Sequence, residues 1–587
     1  MRKQLRLFAL LSALVCAIAF ASCGKKEETA PKEEVKAKQI EPVAVTGPAP
    51  ESMKKRATGQ SAQEPKEKAD TEDKAKKKEE KKKMRGQQTE ERKAKKEKKQ
   101  AEREQKAEEA KKDAEEAMKN LPPKPEGDYK NILLITIDTF RAERMACYGA
   151  PRETTPTIDA LAKEGMVFEN AFAQRNSTWP SLATIMTSQY PIQHGVRNNG
   201  LKLGNEAFTL AEYLSQHGYV CAAVYANATA QNWEGFQFRF PCDHEPVDER
   251  ATHNAVKWIN EYKDYKFFMW LHYLAPHADY MPPAEFRKYV DASYSGPIDG
   301  SKQTVTNLTL NRYPKSDADV QQVLNLYDGE LLYVDNEVKK VLDTLKAHGL
   351  YDKTLVIISA DHGEELYDHH GYFGHGASVY DGVLQVPLIV RMPGVVPAGG
   401  RDATVVQHLT IAPTICEVAG LPIPESFAGK SLMPLFKGEK ADYGPAIAEM
   451  RDEILSIRTA DYKYIANPLN YKPRKLNEER RQSAGLPSTK GSKGKDIEGE
   501  GEAPSDVDPM LLDMQLKDEE LYHVAADRRE KSEIAKEKPE IVKDLKDKLV
   551  AFQEKYNWKF GHDVGERVQK EVDPELKEKL EAMGYVL

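Results

Sequence analysis

The sequence predicts an α/β fold, a mixed sheet flanked by helices, followed by a small α+β subdomain. Three observations point there. Residues 131–137 and 355–360 are continuous apolar runs of strand length, and each runs directly into metal-type ligands: Asp138 after the first, Asp361 and His362 after the second. Residues 218–225 and 266–272 repeat the apolar pattern. Between these runs, 155–165, 209–218 and 320–349 read as helices, the last long enough to cross a sheet face. Unbroken apolar runs suit strands buried on both faces, and their alternation with helices is the pattern of an α/β sheet.

The chain has 587 residues, more than one ordinary domain needs. Its 30% charged and 40% hydrophobic composition excludes a polytopic membrane protein. A formal charge of −7, from 86 basic and 93 acidic residues, argues against a general nucleic-acid binder, so no nucleic-acid partner is expected. Six cysteines are too few for a disulfide-built scaffold. Cys147, Cys221, Cys242 and Cys416 show no Cys-x-x-Cys spacing and carry no expected chemistry.

Residues 1–22 read as an export signal of the lipoprotein type. Arg2, Lys3 and Arg6 precede an apolar run, 7–21, that is too short for a hydrocarbon core of ~30 Å. The run ends in Phe20-Ala21-Ser22-Cys23-Gly24, which resembles a bacterial lipoprotein box and implies a lipid on Cys23. The expected location is then a bacterial membrane surface, periplasmic or outer. Ordinary cleavage with Cys23 as a bystander is the alternative. Residues 23–128 contain no aromatic side chain, and more than half of 51–120 are charged, mostly Lys and Glu. Such a segment cannot offset its chain entropy by burial and reads as a disordered tether, with a binding role for its lysines as the alternative.

The catalytic domain is expected over 129–440. A carboxylate at the C-terminal end of a central strand is a site candidate, because open α/β sheets bind ligands in the crevice outside those ends. Asp138, Asp361 and His362 together form an oxygen-rich cluster with one imidazole, suited to a divalent cation if a further ligand is supplied. Thr178 is the candidate for that ligand. It lies in Arg175-Asn176-Ser177-Thr178-Trp179-Pro180-Ser181, where Pro180 suits the first position of a helix running to Ser188. A hydroxyl at a helix N-terminus faces free N–H groups, and contact with a cation makes it a nucleophile. Taken alone, Thr178 reads better as a simple helix cap.

Here the chain resembles the sulfatase branch of the alkaline phosphatase superfamily. The matching pieces, in order, are Ile137 to Glu143 with Cys147-Tyr148-Gly149, Thr155 to Asp159, Thr178 to Ser181 with Met186 to Pro191 and His194-Gly195, Leu271 to His277, Ser359 to Glu364, Gly374-His375-Gly376, and Gln385 to Val390; Glu520 to Asp527 and Met583-Gly584-Tyr585 look like the family's C-terminal subdomain. The resemblance implies that His277 and His375 are catalytic donors to the charge that develops on the attacked ester. His272, Arg141 and Arg197 are the substrate-binding candidates, with strand packing the alternative for His272. The pair His369-His370, in an exposed-looking loop, is given neither role.

Departures from the family pattern set the expected chemistry. The family's formylglycine motif is C/S-x-P-x-R; here Thr178 and Leu182 stand at its first and last positions, which argues against formylglycine. Thr139 and His362 stand where the family's calcium sites commonly carry a second Asp and an Asn, and that softer set favours manganese or zinc over calcium. One ion is expected, although Asp279 and His375 leave a second open. The expected activity is hydrolysis of phosphate esters by a Thr nucleophile, resembling the phosphodiesterase and phosphoglycerol-transferase members. A sulfuric ester hydrolase without formylglycine and a silent binding module are the alternatives; retaining Asp138, Asp361 and His362 together would burden a silent scaffold with buried charge.

Residues 441–587 are expected to form the small subdomain. Ile541, Leu545, Leu549 and Phe552 recur on a helical period, predicting a closing helix over 539–556. Residues 475–509 lack aromatics and are rich in Gly, Ser, Lys and Glu, predicting a disordered insertion.

Overall fold

The computed structural model describes residue 115 and residues 118–560, apart from 128, 205, 227–233, 243–245, 310–315, 370, 451–452 and 469–516. The export signal, Cys23, nearly all of the tether, the 475–509 insertion and Met583 to Tyr585 lie outside these residues.

The strands of the main sheet are β1 (Asn131–Ile137), β2 (Met166–Phe172), β3 (Val220–Tyr225), β4 (Phe238–Pro241), β5 (Phe267–Tyr273), β6 (Thr354–Ala360), β9 (Gln385–Val386), β10 (Leu388–Arg391) and β11 (Gly400–Gln407). The short strands β7 (Glu365–Leu366) and β8 (Phe373–Gly374) form a separate hairpin after β6. The main order is β11-β2-β10-β6-β1-β5-β3-β4, with β9 beside β2. Strands β1, β3, β4, β5 and β6 pair in parallel, whereas β10 runs antiparallel to both β6 and β2 and makes the sheet mixed. Every residue of β1, β3, β5 and β6 is buried, which is why these strands read as unbroken apolar runs.

Helices α1 (Pro156–Glu164), α2 (Thr178–Thr187), α3 (Leu210–Gln216), α4 (Val247–Tyr262) and α5 (Asp317–Ala347) connect or cover these strands. Helix α5 is started by a reciprocal cap: the Ser316 hydroxyl accepts from the Asp319 amide, and the Asp319 carboxylate accepts from the Ser316 amide. Its buried face carries Val323, Leu326, Leu331, Val334, Val338 and Leu345 into the main core. Tyr327, on the same helix, donates to the Thr139 carbonyl (2.7 Å) and accepts from the Arg141 amide (3.1 Å). The longest helix thus grips the turn that follows β1. Among the described residues, no helix is long and apolar enough to cross a membrane.

Helix α2 departs from expectation. It begins at Thr178 with Ser177 as its cap residue, so Pro180 sits in the third helical position and Thr178 is not the cap. Any position in a first turn lacks an N–H partner and tolerates proline, so proline marks the turn without numbering it.

The smaller sheet, β12 (Ala446–Met450), β13 (Ile454–Arg458), β14 (Lys463–Ala466) and β15 (Glu519–Tyr522), is fully antiparallel. Helix α6 (Pro539–Tyr556) buries Leu545, Leu549 and Phe552 against it. The expected closing helix is therefore present over the expected residues.

Candidate metal centre

Strand pairing places the ligands. Ile137 of β1 lies opposite Ala360 of β6, so Asp138 and Asp361 leave the sheet side by side. Asp361 Oδ1 accepts from the amides of His362 (2.7 Å) and Thr139 (3.2 Å), while Oδ2 is buried with no hydrogen-bond partner. His362 Nδ1 lies 2.8 Å from the Gly363 carbonyl, which can only accept, so Nδ1 carries the proton and Nε2 presents its lone pair. That Nε2 is 3.5 Å from Asp361 Oδ2 and 4.0 Å from Asp138 Oδ1. All three side chains are fully buried, and one ligand atom from each falls within 4.8 Å of the others.

This donor set fits a divalent cation. Two carboxylates and an imidazole nitrogen, buried and converging on one point, would otherwise carry the desolvation cost of two like charges. Burial, reinforced by Asp138, pushes the Asp361 carboxyl up. Asp138 is held below the carboxylate range, because His272, His277 and His362 outweigh its burial. Thr139, directly after Asp138, has φ 55, a backbone region that β-branched residues rarely adopt. Its amide bond to Asp361 and its carbonyl bond to Tyr327 hold it there.

His277 and His375 join the cluster as ring neighbours. The His375 ring centroid lies 4.5 Å from that of His362 and 5.2 Å from that of His277. Burial lowers both, His375 to about 4. His277 Nδ1 is 2.9 Å from the Ala278 carbonyl, so Nδ1 carries the proton and Nε2 the lone pair. Glu364, to which the sequence reading gave no role, holds His375: its Oε1 is 2.8 Å from His375 Nδ1, and its Oε2 accepts from Tyr280 (3.0 Å). Burial pushes the Glu364 carboxyl up to about 7. Its position two residues after His362 was the available signal.

Thr178 is fully buried as the first residue of α2. Its loop is stitched to the His375 segment, because the Asn176 amide donates to the Ser378 carbonyl (2.7 Å) and Ser378 Oγ donates to Glu365 (3.0 Å). The amide of Trp179 donates to Asn199 Oδ1 (2.9 Å), which caps the helix from the far side.

Four expectations need correction. Arg141 is buried against the Asp368 carboxylate, Glu143 and the Glu364 carbonyl, so its guanidinium braces the ligand loop and is not presented to substrate. Arg197 is committed to Glu449 through Nε (3.1 Å) and Nη2 (3.0 Å). His272 is held within the sheet: Nδ1 meets Thr136 Oγ1 at 2.9 Å and Nε2 faces Asp138. His369 is buried rather than exposed, stacked on Tyr380 at 3.8 Å and paired with Glu365; His370 lies outside the described residues. Asp279 does not join the cluster: among the described residues the converging set is Asp138, Asp361 and His362, and Asp279 Oδ1 accepts from the Lys302 amide at 2.6 Å.

Residues 130–421 match the sulfatase family model. Residues 130–421 form a sulfatase-family domain. This is a family of ester hydrolases within the alkaline phosphatase superfamily. The chain is 28% identical over 358 residues to an ulvan-active sulfatase of Formosa agariphila, an alignment covering 57% of this chain and 66% of that protein, just under two thirds. Among solved structures, one in complex with its substrate D-glucosamine-2-N,6-O-disulfate shares the fold with TM-score 0.57 and 20% identity, covering 75% of this chain and all of that one. The phosphonate monoester hydrolase of Agrobacterium radiobacter matches with TM-score 0.55 and 20% identity, covering 73% of this chain and 96% of that one.

Proposed function

We propose that this chain is a metal-dependent hydrolase of phosphate esters that uses Thr178 as its nucleophile, and that a lipid on Cys23 tethers it to a membrane. The carrying observation is a threonine hydroxyl, in place of a formylglycine precursor, at the head of α2, together with the buried set Asp138, Asp361 and His362. Those three residues would hold the ion, with Thr178 as the further ligand. When bound, a divalent ion supplies Lewis acidity to a hydroxyl and to an ester oxygen. Thr178 Oγ loses its proton to water and attacks phosphorus, the bond to the alcohol oxygen breaks as that oxygen is protonated through His375, and water later cleaves the Thr–phosphate ester and leaves a proton on Thr178 Oγ. His375 serves the leaving alcohol: a Glu364 protonated near neutrality donates to His375 Nδ1 and places the ring proton on Nε2. His277, beside it, presents an Nε2 lone pair, so it serves as a proton acceptor in the site rather than as a donor to the equatorial oxygens.

Sulfate-ester hydrolysis is the second reading, favoured by the similarity to an ulvan-active sulfatase. One panel decides: turnover of p-nitrophenyl phosphate, bis-p-nitrophenyl phosphate and p-nitrophenyl sulfate, with and without manganese, beside Thr178→Ala. The proposal expects manganese-dependent phosphate-ester turnover that Thr178→Ala abolishes. Faster sulfate turnover would establish the second reading, and equal turnover by Thr178→Ala would remove the nucleophile.

A further inference from the structure

We infer that His272 is a positioning residue for the metal centre, the last link of a relay that runs across the sheet from Trp270 through Thr136 to the ligand Asp138. This rests on the proposed metal centre. Thr136 of β1 and His272 of β5 are register partners, and Trp270 lies two residues earlier on β5, on the same face as His272. The Trp270 indole N–H donates to Thr136 Oγ1 at 2.9 Å, and Thr136 Oγ1 lies 2.9 Å from His272 Nδ1. An indole nitrogen can only donate, so the Thr136 oxygen accepts there and has its own proton to give to His272 Nδ1. Nδ1 then accepts, and the ring proton stands on Nε2.

That Nε2 is fully buried, has no hydrogen-bond partner, and faces Asp138 Oδ2 at 3.8 Å. The opposite tautomer would aim a lone pair at a buried carboxylate, which is repulsive. Asp138 therefore has an N–H donor behind it while its other oxygen, Oδ1, faces His362 Nε2. His272 is distinct from the ligand set, since among the described residues only Asp138, Asp361 and His362 bring their atoms within 4.8 Å of one another. Outer partners of this kind orient a ligating carboxylate, and their loss typically weakens metal affinity about 10- to 100-fold.

The test titrates the full-length chain, freed of metal by chelation, with manganese chloride alone in a calorimeter. Wild type is compared with His272→Phe, Thr136→Val and His272→Gln, all checked for fold by circular dichroism. The expected result is one site in wild type, affinity lowered about 10- to 100-fold by His272→Phe and Thr136→Val, and partial recovery in His272→Gln, which keeps an N–H donor. Pulsed electron paramagnetic resonance of the manganese complex should report one coordinated imidazole nitrogen in wild type and in His272→Phe alike. Unchanged affinity in every variant overturns the relay alone. Two imidazoles in wild type falling to one in His272→Phe makes His272 a ligand and overturns it too. No binding by wild type overturns the metal centre and the relay together.

Discussion

His362 Nε2 lies 3.5 Å from Asp361 Oδ2, and both atoms are buried without a hydrogen-bond partner. A donor nitrogen and an anionic oxygen that converge in this way gain from a shared cation. Manganese at a hundredfold excess over its dissociation constant should stabilise the chain by about 2.7 kcal/mol. Thermal unfolding with and without the metal measures this. Asp361→Asn should erase the metal-dependent shift.

Thr178 is the proposed nucleophile, and the chemistry of its hydroxyl can be separated from its place in the helix. Thr178→Ala should lower kcat at least ~10³-fold with the fold retained. Thr178→Ser, which keeps a hydroxyl, should remain far more active than Thr178→Ala. Steady-state kinetics on the preferred aryl ester check both.

Glu449 of β12 is shared by two arginines that flank α2, Arg175 (3.1 Å) and Arg197 (3.0 Å), and it also accepts from the Trp558 indole. All four side chains are nearly fully buried. Removing one member of a buried ion cluster strands the others, so Glu449→Ala should cost roughly 3 to 5 kcal/mol. Urea unfolding measures the loss, which should far exceed that of Trp558→Phe.

Asp335 of α5 accepts from the Thr157 and Ile158 amides at 2.9 Å each, yet burial raises its carboxyl from 3.8 to about 6. A folded-state value above the unfolded one means that the fold prefers the protonated acid. Its contribution is full below pH 3.8 and is lost as pH rises through about 6. The change is roughly 3 kcal/mol, and Asp335→Asn should flatten that part of the stability curve. Denaturant unfolding at stepped pH checks the sign.

The sheet and its ligands were legible because parallel strands buried on both faces leave unbroken apolar runs, and Asp138, Asp361 and His362 follow such runs directly. The antiparallel β10 lies between two strands distant in sequence, which no local pattern announces. Arg141 and Arg197 were misread for a related reason. Their partners Asp368 and Glu449 stand 227 and 252 residues away, and an arginine committed to a remote carboxylate has the same local sequence as one that faces substrate. Glu364 was missed because its role comes through His375, brought back by the β7–β8 hairpin. The start of α2 was misplaced because proline is tolerated throughout a first helical turn.

The most direct measurement is an anomalous-scattering map of crystals soaked in manganese. The account predicts one peak enclosed by Asp138, Asp361 and His362, with Thr178 Oγ among the coordinating atoms. A peak at another site, or one enclosed by the three side chains with Thr178 Oγ outside coordinating distance, would contradict it.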